Sequence, residues 1–385
     1  DWVVSFDATS LYPSIIMQYN MSPETLVRLP KDNKGNEEQY QAPVTVEDLV
    51  NKKVNLDHLQ KENFCMTSNG HHFRRDKKGF FPEIVQKLFD DRIQYRNKER
   101  EAEKEYEKTK KASLLNDISK YHNFQMARKI QLNSLFGAMA NFGFRYFDDR
   151  VAEGITMTGQ TIIQIVGKAL NEYLNKTCGT SDYKYSFYSD TDSCYITLDP
   201  LVQKFYKDKP KDEIVKILNK ICEDVIKPVI KKATDGHAEY TNAFETKITF
   251  KREAIADRGI WVAKKRYALN VYDNEGVIYD EPKLKILGIE IVRSSTPQAV
   301  RDLLKGAVKV AITQDEKALQ QYIMDVSDEY KKLTPEEIAF PRGVNGLLKY
   351  KGEDIYIKGT PLHVRGALLY NCLLYTSPSP RDVEE

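Results

Sequence analysis

Hydrophobic and polar positions at the start of the chain predict a short buried strand followed by a helix. Residues 3–7 form an apolar run that ends in a carboxylate, which is typical of a buried strand. Residues 13–20 begin with a proline and continue with apolar side chains, a pattern that favours a helix start. Residues 29–79 are mostly polar and carry turn signals at Asn33-Lys34-Gly35 and Asn69-Gly70, so we expect an irregular or hairpin-rich insert there.

Two long helices are predicted next. Residues 81–111 contain no glycine, and apolar side chains recur at helical spacing in the first part of this stretch. Such a helix would be about 45 Å long. A second helix is predicted over residues 119–140. Because the connection between them is short, the two helices are expected to form an antiparallel pair that projects from the body of the protein.

The second half of the chain alternates between helical and strand patterns. Residues 185–198 predict a hairpin with acidic residues at its tip. Further helices are predicted over residues 156–174, 212–232 and 297–333, and further strands over residues 246–250, 266–272 and 283–292. The polar, proline-containing segment 372–385 is expected to be a disordered or non-native tail.

Composition excludes some classes of protein and leaves others open. The chain has 385 residues, enough for two or three domains, and its 58 basic and 56 acidic residues give a net charge of +2. This balance does not by itself indicate nucleic-acid binding. No apolar run reaches the ~20 residues of a membrane helix, so we expect no membrane partner. Five scattered cysteines indicate free thiols, and the start within a strand pattern suggests a fragment of a longer chain.

Two acidic turns are candidates for metal binding. Asp7 ends a strand just before a helix, where its carboxylate can bind a hard cation and the following N–H groups can bind phosphate. On this segment alone a helix cap is the favoured alternative. Asp190 and Asp192 lie two residues apart and share a face if the backbone is extended. The alternative is an ordinary polar turn.

Two basic segments are candidates for contact with phosphates. Lys129, Asn133 and Phe136 lie on one face of the second long helix, and Arg92 and Arg96 are four residues apart on the first. A solvated helix face is the alternative. The segment Lys264, Lys265, Arg266, Tyr267 suits a nucleic-acid backbone, with charges that protect an edge strand as its alternative. Taken together, the acidic turns and basic segments are what two-metal phosphoryl transfer requires.

The order of these motifs resembles family B DNA polymerases. Asp-x-x-Ser-Leu-Tyr-Pro-Ser from Asp7, Lys-x-x-x-Asn-Ser-x-x-Gly from Lys129 and Tyr-x-Asp-Thr-Asp-Ser from Tyr188 are similar to motifs A, B and C of that family. Lys264–Tyr267 is similar to its Lys-Lys-Arg-Tyr motif, and two shorter motifs, Phe73–Asp76 and Glu253–Ala256, resemble the T4-like phage branch.

The resemblance implies an α+β fold with right-hand architecture and an antiparallel palm sheet. The palm would comprise residues 1–78 and 142–290, the two-helix fingers residues 79–141, and a partial thumb residues 291–371. The implied activity is synthesis of DNA from dNTPs on a primer-template, in phage replication, in the host cytoplasm. A sliding clamp is a candidate partner through a C-terminal part that this chain lacks.

The resemblance also implies the roles of individual residues. Two Mg²⁺ ions would be bound by Asp7, the Ala8 carbonyl group and Asp192, with Asp190 assisting near the primer end. The incoming dNTP would contact a larger set, namely Ser10, Leu11, Tyr12, Arg92, Lys129 and Asn133. The DNA would be bound by Lys264, Lys265, Arg266 and Tyr267.

One position departs from the family pattern, and two other functions remain open. Phe136 stands where the family usually has tyrosine, which removes a hydroxyl group beside the nascent base pair. A two-metal nuclease could use the same carboxylates, but it has no need for cations on paired helices. A DNA-binding fragment without catalytic activity is the other alternative.

Overall fold

The computed structural model describes residues 1–31, 37–39, 42–353 and 355–376. The turn predicted at Asn33-Lys34-Gly35 and residues 377–385 of the predicted tail lie outside this part of the chain. Within it, no helix is both long and apolar enough to cross a membrane.

Strands and helices alternate along the chain. The strands are β1 (Val3–Ala8), β2 (Arg28–Lys31), β3 (Glu37–Gln39), β4 (Phe64–Met66), β5 (His72–Arg74), β6 (Ser186–Asp190), β7 (Ser193–Thr197), β8 (Phe250–Ala263), β9 (Arg266–Asn274) and β10 (Val277–Leu287). The helices of the first half are α1 (Leu11–Gln18), α2 (Val46–Val50), α3 (His58–Glu62), α4 (Phe80–Thr109), α5 (Ser113–Met139) and α6 (Asp149–Cys178). Those of the second half are α7 (Asp199–Phe205), α8 (Lys211–Ile221), α9 (Lys227–Tyr240), α10 (Gln298–Thr313), α11 (Glu316–Tyr330), α12 (Pro335–Ile338) and α13 (Leu362–Thr376).

The chain forms two compact units. The first comprises Asp1–Gly259 and Asn270–Lys283, and the second comprises Ile260–Leu269 and the described part of Leu284–Glu385. The predicted division into palm, fingers and thumb is a different partition, and it stays a prediction.

A six-stranded sheet and long helices form the core of the first unit. The sheet has the order β10-β9-β8-β1-β7-β6, and β1 is antiparallel to both β7 and β8. Apolar residues of α6 recur on one face and are fully buried, as at Ile155, Ile162, Val166 and Leu170. Burying this face and the apolar side of β1 is the main stabilising contribution of the unit. The predicted combination of helices with an antiparallel sheet is confirmed.

The two long helices form the predicted antiparallel pair. His122 Nδ1 lies 2.7 Å from a Glu99 carboxylate oxygen, and Arg128 Nε donates to Asp91 at 3.2 Å. Arg128 follows His122 along α5, whereas its partner Asp91 precedes Glu99 along α4. The two helices therefore run in opposite directions. The second helix begins at Ser113, six residues before the predicted start at Ser119.

Four predicted elements differ from the structure. The helix predicted over residues 297–333 is divided into α10 and α11, because Gln314 has an extended backbone and the Asp315 side chain caps the start of α11. Residues 246–249 form no strand because the Gln18 side chain accepts hydrogen bonds from the N–H groups of Lys247 and Ile248, at 3.0 and 3.2 Å. The strand predicted to run through residue 292 ends at Leu287, where Gly288 has a φ of +65°. The helix predicted over residues 212–232 is interrupted by a π-helical turn just before Pro228, which lacks an N–H donor.

The described start of the predicted tail is helical. Helix α13 extends through residues 372–376, which were expected to belong to a disordered or non-native segment. The sequence from residue 367 to residue 376 contains neither proline nor glycine, so nothing in it ends the helix earlier.

Burial of His237 predicts acid sensitivity of the fold. This side chain on α9 is 2% exposed, and neither ring nitrogen has a hydrogen-bond partner among the described residues. Burial lowers the pKa of His237 from 6.5 to about 4. Between about pH 6.5 and about pH 4, His237 is therefore protonated in the unfolded chain but neutral in the folded chain. We expect the free energy of unfolding to fall over this window, by about 3 kcal/mol from this group.

Urea unfolding at pH 7 and pH 4.5 measures this loss. His237→Phe removes the buried imidazole and should reduce the pH dependence, whereas His363→Phe, at an exposed position, should leave it unchanged. An identical pH profile for His237→Phe and the unsubstituted chain would contradict the prediction.

Candidate active site

A cavity of about 660 Å³ in the first unit brings together residues from distant parts of the sequence. It lies where the loop after β1, the helix pair α4–α5, the β6–β7 turn and the start of β8 meet. Eleven candidate residues from the sequence analysis line it: Asp7, Ala8, Ser10, Leu11, Tyr12, Arg92, Arg96, Lys129, Asn133, Phe136 and Asp192.

Strand pairing holds Asp7 and Asp192 side by side. Asp7 is the register partner of Ser193 across the β1–β7 pair, and the Ala8 N–H group donates to the Asp192 carbonyl oxygen at 2.8 Å. Both carboxylates are partly exposed to the cavity. Two acidic residues far apart in sequence therefore meet at one edge of the sheet.

Asp190 is not among the residues that line the cavity. The Asp192 N–H group donates to the Asp190 carbonyl oxygen at 2.7 Å, and Thr191 between them has a φ of 56°. The backbone is therefore a tight turn, so the extended geometry that would place both carboxylates on one face is absent here. The assisting role of Asp190 stays a prediction.

The loop after β1 exposes backbone donors. Ser10 has a left-handed conformation, with φ 50° and ψ 60°, and α1 begins at the next residue. Arg92 Nη1 donates to the Ser10 hydroxyl oxygen at 2.7 Å, and Ser14 Oγ donates to the Thr9 carbonyl oxygen at 3.0 Å. In the described chain the N–H groups of Ser10 and Leu11 have no acceptor, which is the usual state of a helix start that binds an anion.

Two basic side chains of the helix pair, Arg92 of α4 and Lys129 of α5, line the cavity. Neither Arg92 nor Lys129 forms an ion pair with any residue that the structure describes, and Arg92 Nε is buried without an acceptor. Burial, and secondarily Arg96, lowers the pKa of Arg92. Arg96 itself lies 3.4 Å from Glu275. An excess of cations at the wall of a cavity suits a polyanionic ligand.

Tyr12 forms part of the cavity wall together with Phe136. Their ring centroids are 4.5 Å apart and the rings are inclined by 43°. Such tilted aromatic pairs contribute about 0.5–1.5 kcal/mol beyond their buried area. Phe136, which differs from the family pattern, therefore fixes one side of the Tyr12 ring.

Strand β8 contributes site residues that the sequence analysis did not select. Lys251 and Glu253 line the cavity, and Glu253 accepts a hydrogen bond from Ser5 Oγ at 3.3 Å. Arg252 between them is buried and pairs with Asp273 at 2.6 Å. Three consecutive charged residues at 251–253 show no apolar-polar alternation, so the sequence carried no signal for which of them face the cavity.

The Lys-Lys-Arg-Tyr segment belongs to the second unit. Lys265 lies in the turn between β8 and β9 with a φ of 62°, and Arg266 forms an ion pair with Glu290. The Tyr267 ring is 3% exposed and stacks on Trp261 at 5.6 Å. Strand β9 lies between β8 and β10, so charges that protect an edge strand do not explain this segment. The predicted DNA contacts of Lys264, Lys265, Arg266 and Tyr267 stay predictions, and burial leaves little of the Tyr267 ring for such a contact.

Comparison with known proteins decides the family. The family model for DNA polymerase family B matches residues 1–342. The chain belongs to this family. It is 32% identical to the DNA-directed DNA polymerase of Enterobacteria phage T4 and 33% identical to that of Escherichia phage RB69, over 96% of this chain in both cases. A DNA polymerase from Pyrococcus glycovorans is 26% identical over 87% of this chain and is covered over 33% of its own length.

This family B chain spans 45% of the length of each of the two phage polymerases. The resemblance to the T4-like phage branch is confirmed by these identities. Most of the residues that line the cavity belong to the three sequence motifs that resemble motifs A, B and C of the family. These motifs lie in the loop after β1, in helix α5 and in the β6–β7 turn.

Proposed function

We propose that this chain is the polymerase region of a phage-type family B enzyme and transfers nucleotides from dNTPs to a primer 3′-hydroxyl group on a DNA template. One observation carries the proposal: a pair of strand-end carboxylates and a set of unpaired cations border the same cavity. We assign the palm to residues 1–78 and 142–290, the fingers to residues 79–141 and the partial thumb to residues 291–371, as the resemblance implies. We also propose a sliding clamp as a partner.

The donor atoms at Asp7, Ala8 and Asp192 fit Mg²⁺. They are all oxygens, which hard divalent cations prefer. The part of the chain that the structure describes contains no cluster of three or more His, Cys, Asp or Glu side chains suited to a metal. Mg²⁺ is usually held by one or two carboxylates together with water and substrate phosphates, a role that Asp7 and Asp192 would fill here. When bound, two such ions would activate the primer hydroxyl group and stabilise the leaving pyrophosphate.

The chain's own residues bind and orient the nucleotide. The free N–H groups of Ser10 and Leu11 would donate to triphosphate oxygens, and Arg92 and Lys129 would neutralise their charge. Asn133 would contact the nucleotide from the same face of α5. The proposed arrangement holds the α-phosphate beside Asp7 and Asp192, where the new bond forms.

Lys129→Ala tests the binding of the triphosphate. Loss of one charge-assisted contact is expected to raise the KM for dNTP by about tenfold and to change the Kd for primer-template less than threefold. Steady-state primer extension and a duplex-binding titration measure the two effects, with Lys104→Ala at an exposed position of α4 as a control. A loss confined to DNA affinity would assign Lys129 to the DNA instead.

Tyr12 is proposed to exclude ribonucleotides. It follows the triphosphate-binding loop and is packed against Phe136, so its ring would lie beneath the sugar. Tyr12→Ala should increase incorporation of ribonucleotides relative to dNTPs by at least about tenfold, as measured by competition in single-nucleotide extension. Tyr12→Phe, which retains the ring, is the matched control. Unaltered discrimination in Tyr12→Ala would remove this role.

A further inference from the structure

An ion pair lies at the wall of the candidate active-site cavity, between the helix pair and the sheet. Arg96 of α4 and Glu275 of the β9–β10 turn both line the cavity, and Arg96 Nη2 lies 3.4 Å from Glu275 Oε2. Arg92, one helical turn before Arg96, forms no ion pair with the residues that the structure describes. Of these two arginines of α4 at the cavity, one is therefore neutralised by a carboxylate and the other is not.

The β9–β10 turn holds Glu275 in a backbone conformation that disfavours glutamate. Glu275 and Gly276 have φ values of 51° and 89°, so both central residues of the turn are left-handed. Asparagine and glycine adopt this conformation most readily. The Glu275 N–H group donates to the Glu253 carbonyl oxygen at 2.6 Å, and the Gly276 N–H group donates to Asp273 Oδ1 at 2.8 Å. Because neither hydrogen bond uses the Glu275 carboxylate, the turn does not depend on that carboxylate.

A carboxylate at this position opposes the binding of a polyanion. Phosphate oxygens and carboxylate oxygens both accept hydrogen bonds from guanidinium N–H groups, so a phosphate and Glu275 compete for Arg96. A terminal phosphate group carries more negative charge than a carboxylate and is the stronger partner. The pair can also separate readily, because 29% of the Arg96 side chain and 52% of the Glu275 side chain are exposed to solvent.

We propose that Glu275 occupies Arg96 while the cavity is empty and that a triphosphate displaces it, an inference that rests on the proposed function. No covalent bond changes in this exchange. Arg96 passes from a carboxylate oxygen to a phosphate oxygen, and the Glu275 side chain becomes solvated. Glu275 is thus a positioning residue that acts through Arg96, and it lowers the affinity of the cavity for anions that bind Arg96.

Calorimetric titration with inorganic triphosphate and Mg²⁺ tests the exchange without turnover. Glu275→Gln removes the competing charge and should raise the affinity about threefold, the size expected for a partly exposed ion pair. In an Arg96→Gln background the same substitution should change the affinity less than about 1.5-fold, because no guanidinium group remains to compete for. Glu281→Gln, at an exposed position of β10 outside the cavity, is the matched control. Unchanged or weaker affinity in Glu275→Gln, or an equal rise in the Arg96→Gln background, would overturn the proposal.

A second substitution separates this role from a role in folding. Glu275→Asn also removes the charge, and asparagine suits the left-handed backbone of the turn. We therefore expect an equal or higher free energy of unfolding in urea together with a raised affinity for triphosphate. Lower stability without a gain in affinity would assign Glu275 to the fold and contradict the exchange.

Primer extension distinguishes failure of the exchange from failure of the proposed function. In an active chain, Glu275→Gln should lower the KM for dNTP about threefold and leave kcat within about twofold, because it removes a competitor for binding. An active chain whose triphosphate affinity does not respond to Glu275→Gln would contradict the exchange alone. Triphosphate binding that responds to Glu275→Gln only when Arg96 is present, in a chain that extends no primer, would support the exchange and contradict the proposed function.

Discussion

Asp192→Asn is expected to reduce primer extension by at least about 10³-fold, equivalent to about 4 kcal/mol of transition-state stabilisation. The substitution preserves the size of the side chain and removes the charge that would bind a metal ion beside Asp7. Because the Asp192 carbonyl group already accepts from the Ala8 N–H group, the β1–β7 pairing should survive the change. Single-turnover extension measures the rate, and a titration measures the Kd for duplex DNA, which should change less than threefold.

Two other aspartates provide controls for this prediction. Asp190→Asn should cause a smaller loss than Asp192→Asn, because Asp190 does not line the cavity. Asp182→Asn changes an exposed carboxylate before β6 and should leave the rate within twofold of the unsubstituted chain. Normal turnover in Asp192→Asn, or equal losses at positions 190 and 192, would contradict the assignment of the metal site.

Asp273→Ala is expected to destabilise the first unit by about 3–5 kcal/mol. Arg252 Nη1 donates to Asp273 Oδ1 at 2.6 Å, and the two side chains are 3% and 1% exposed. Asp273 also accepts from the Gly276 N–H group at 2.8 Å and so holds the β9–β10 turn. Removing the carboxylate leaves a buried guanidinium group without its counter-charge beside the cavity. Urea unfolding of the purified chain measures the loss.

A double variant separates the loss of the ion pair from the cost of a buried charge. Arg252→Met combined with Asp273→Ala removes both charges and should recover part of the stability lost in Asp273→Ala. Glu47→Ala breaks an exposed pair with Lys53 and should cost about 1 kcal/mol or less. A loss below about 1 kcal/mol in Asp273→Ala would show that this pair contributes little.

Local sequence patterns predicted most of the elements that position the site. The strand that contains Asp7 follows from its run of apolar side chains, and the first long helix follows from apolar side chains at helical spacing and the absence of glycine over residues 81–111. The misassigned strand over residues 246–250 shows the limit of such patterns. Thr246, Ile248 and Thr249 favour a strand by propensity, but the side chain of Gln18, which is distant in sequence, accepts hydrogen bonds from the backbone N–H groups of Lys247 and Ile248 instead.

The meeting of Asp7 with Asp192 could not be read from local patterns. Either carboxylate alone was better explained as a cap or a turn, and only the order of three motifs joined them. The backbone between Asp190 and Asp192 could not be predicted, because it depends on a positive φ at Thr191, which a threonine rarely adopts. Lys251 and Glu253 were not selected because the candidate DNA-binding segment was placed at Lys264–Tyr267, and only the strand pairing of β8 with β1 brings residues 251–253 to the cavity.

Primer extension by the purified chain with Mg²⁺ and all four dNTPs tests the central claim most directly. If the cavity between the sheet edge and the helix pair carries nucleotidyl transfer, a labelled primer will lengthen in template order, and each omitted dNTP will stop it at the corresponding template base. Shortening of the primer under these conditions would identify a nuclease. Duplex binding with no change in primer length at any Mg²⁺ concentration would show that this chain binds DNA without catalysing its synthesis.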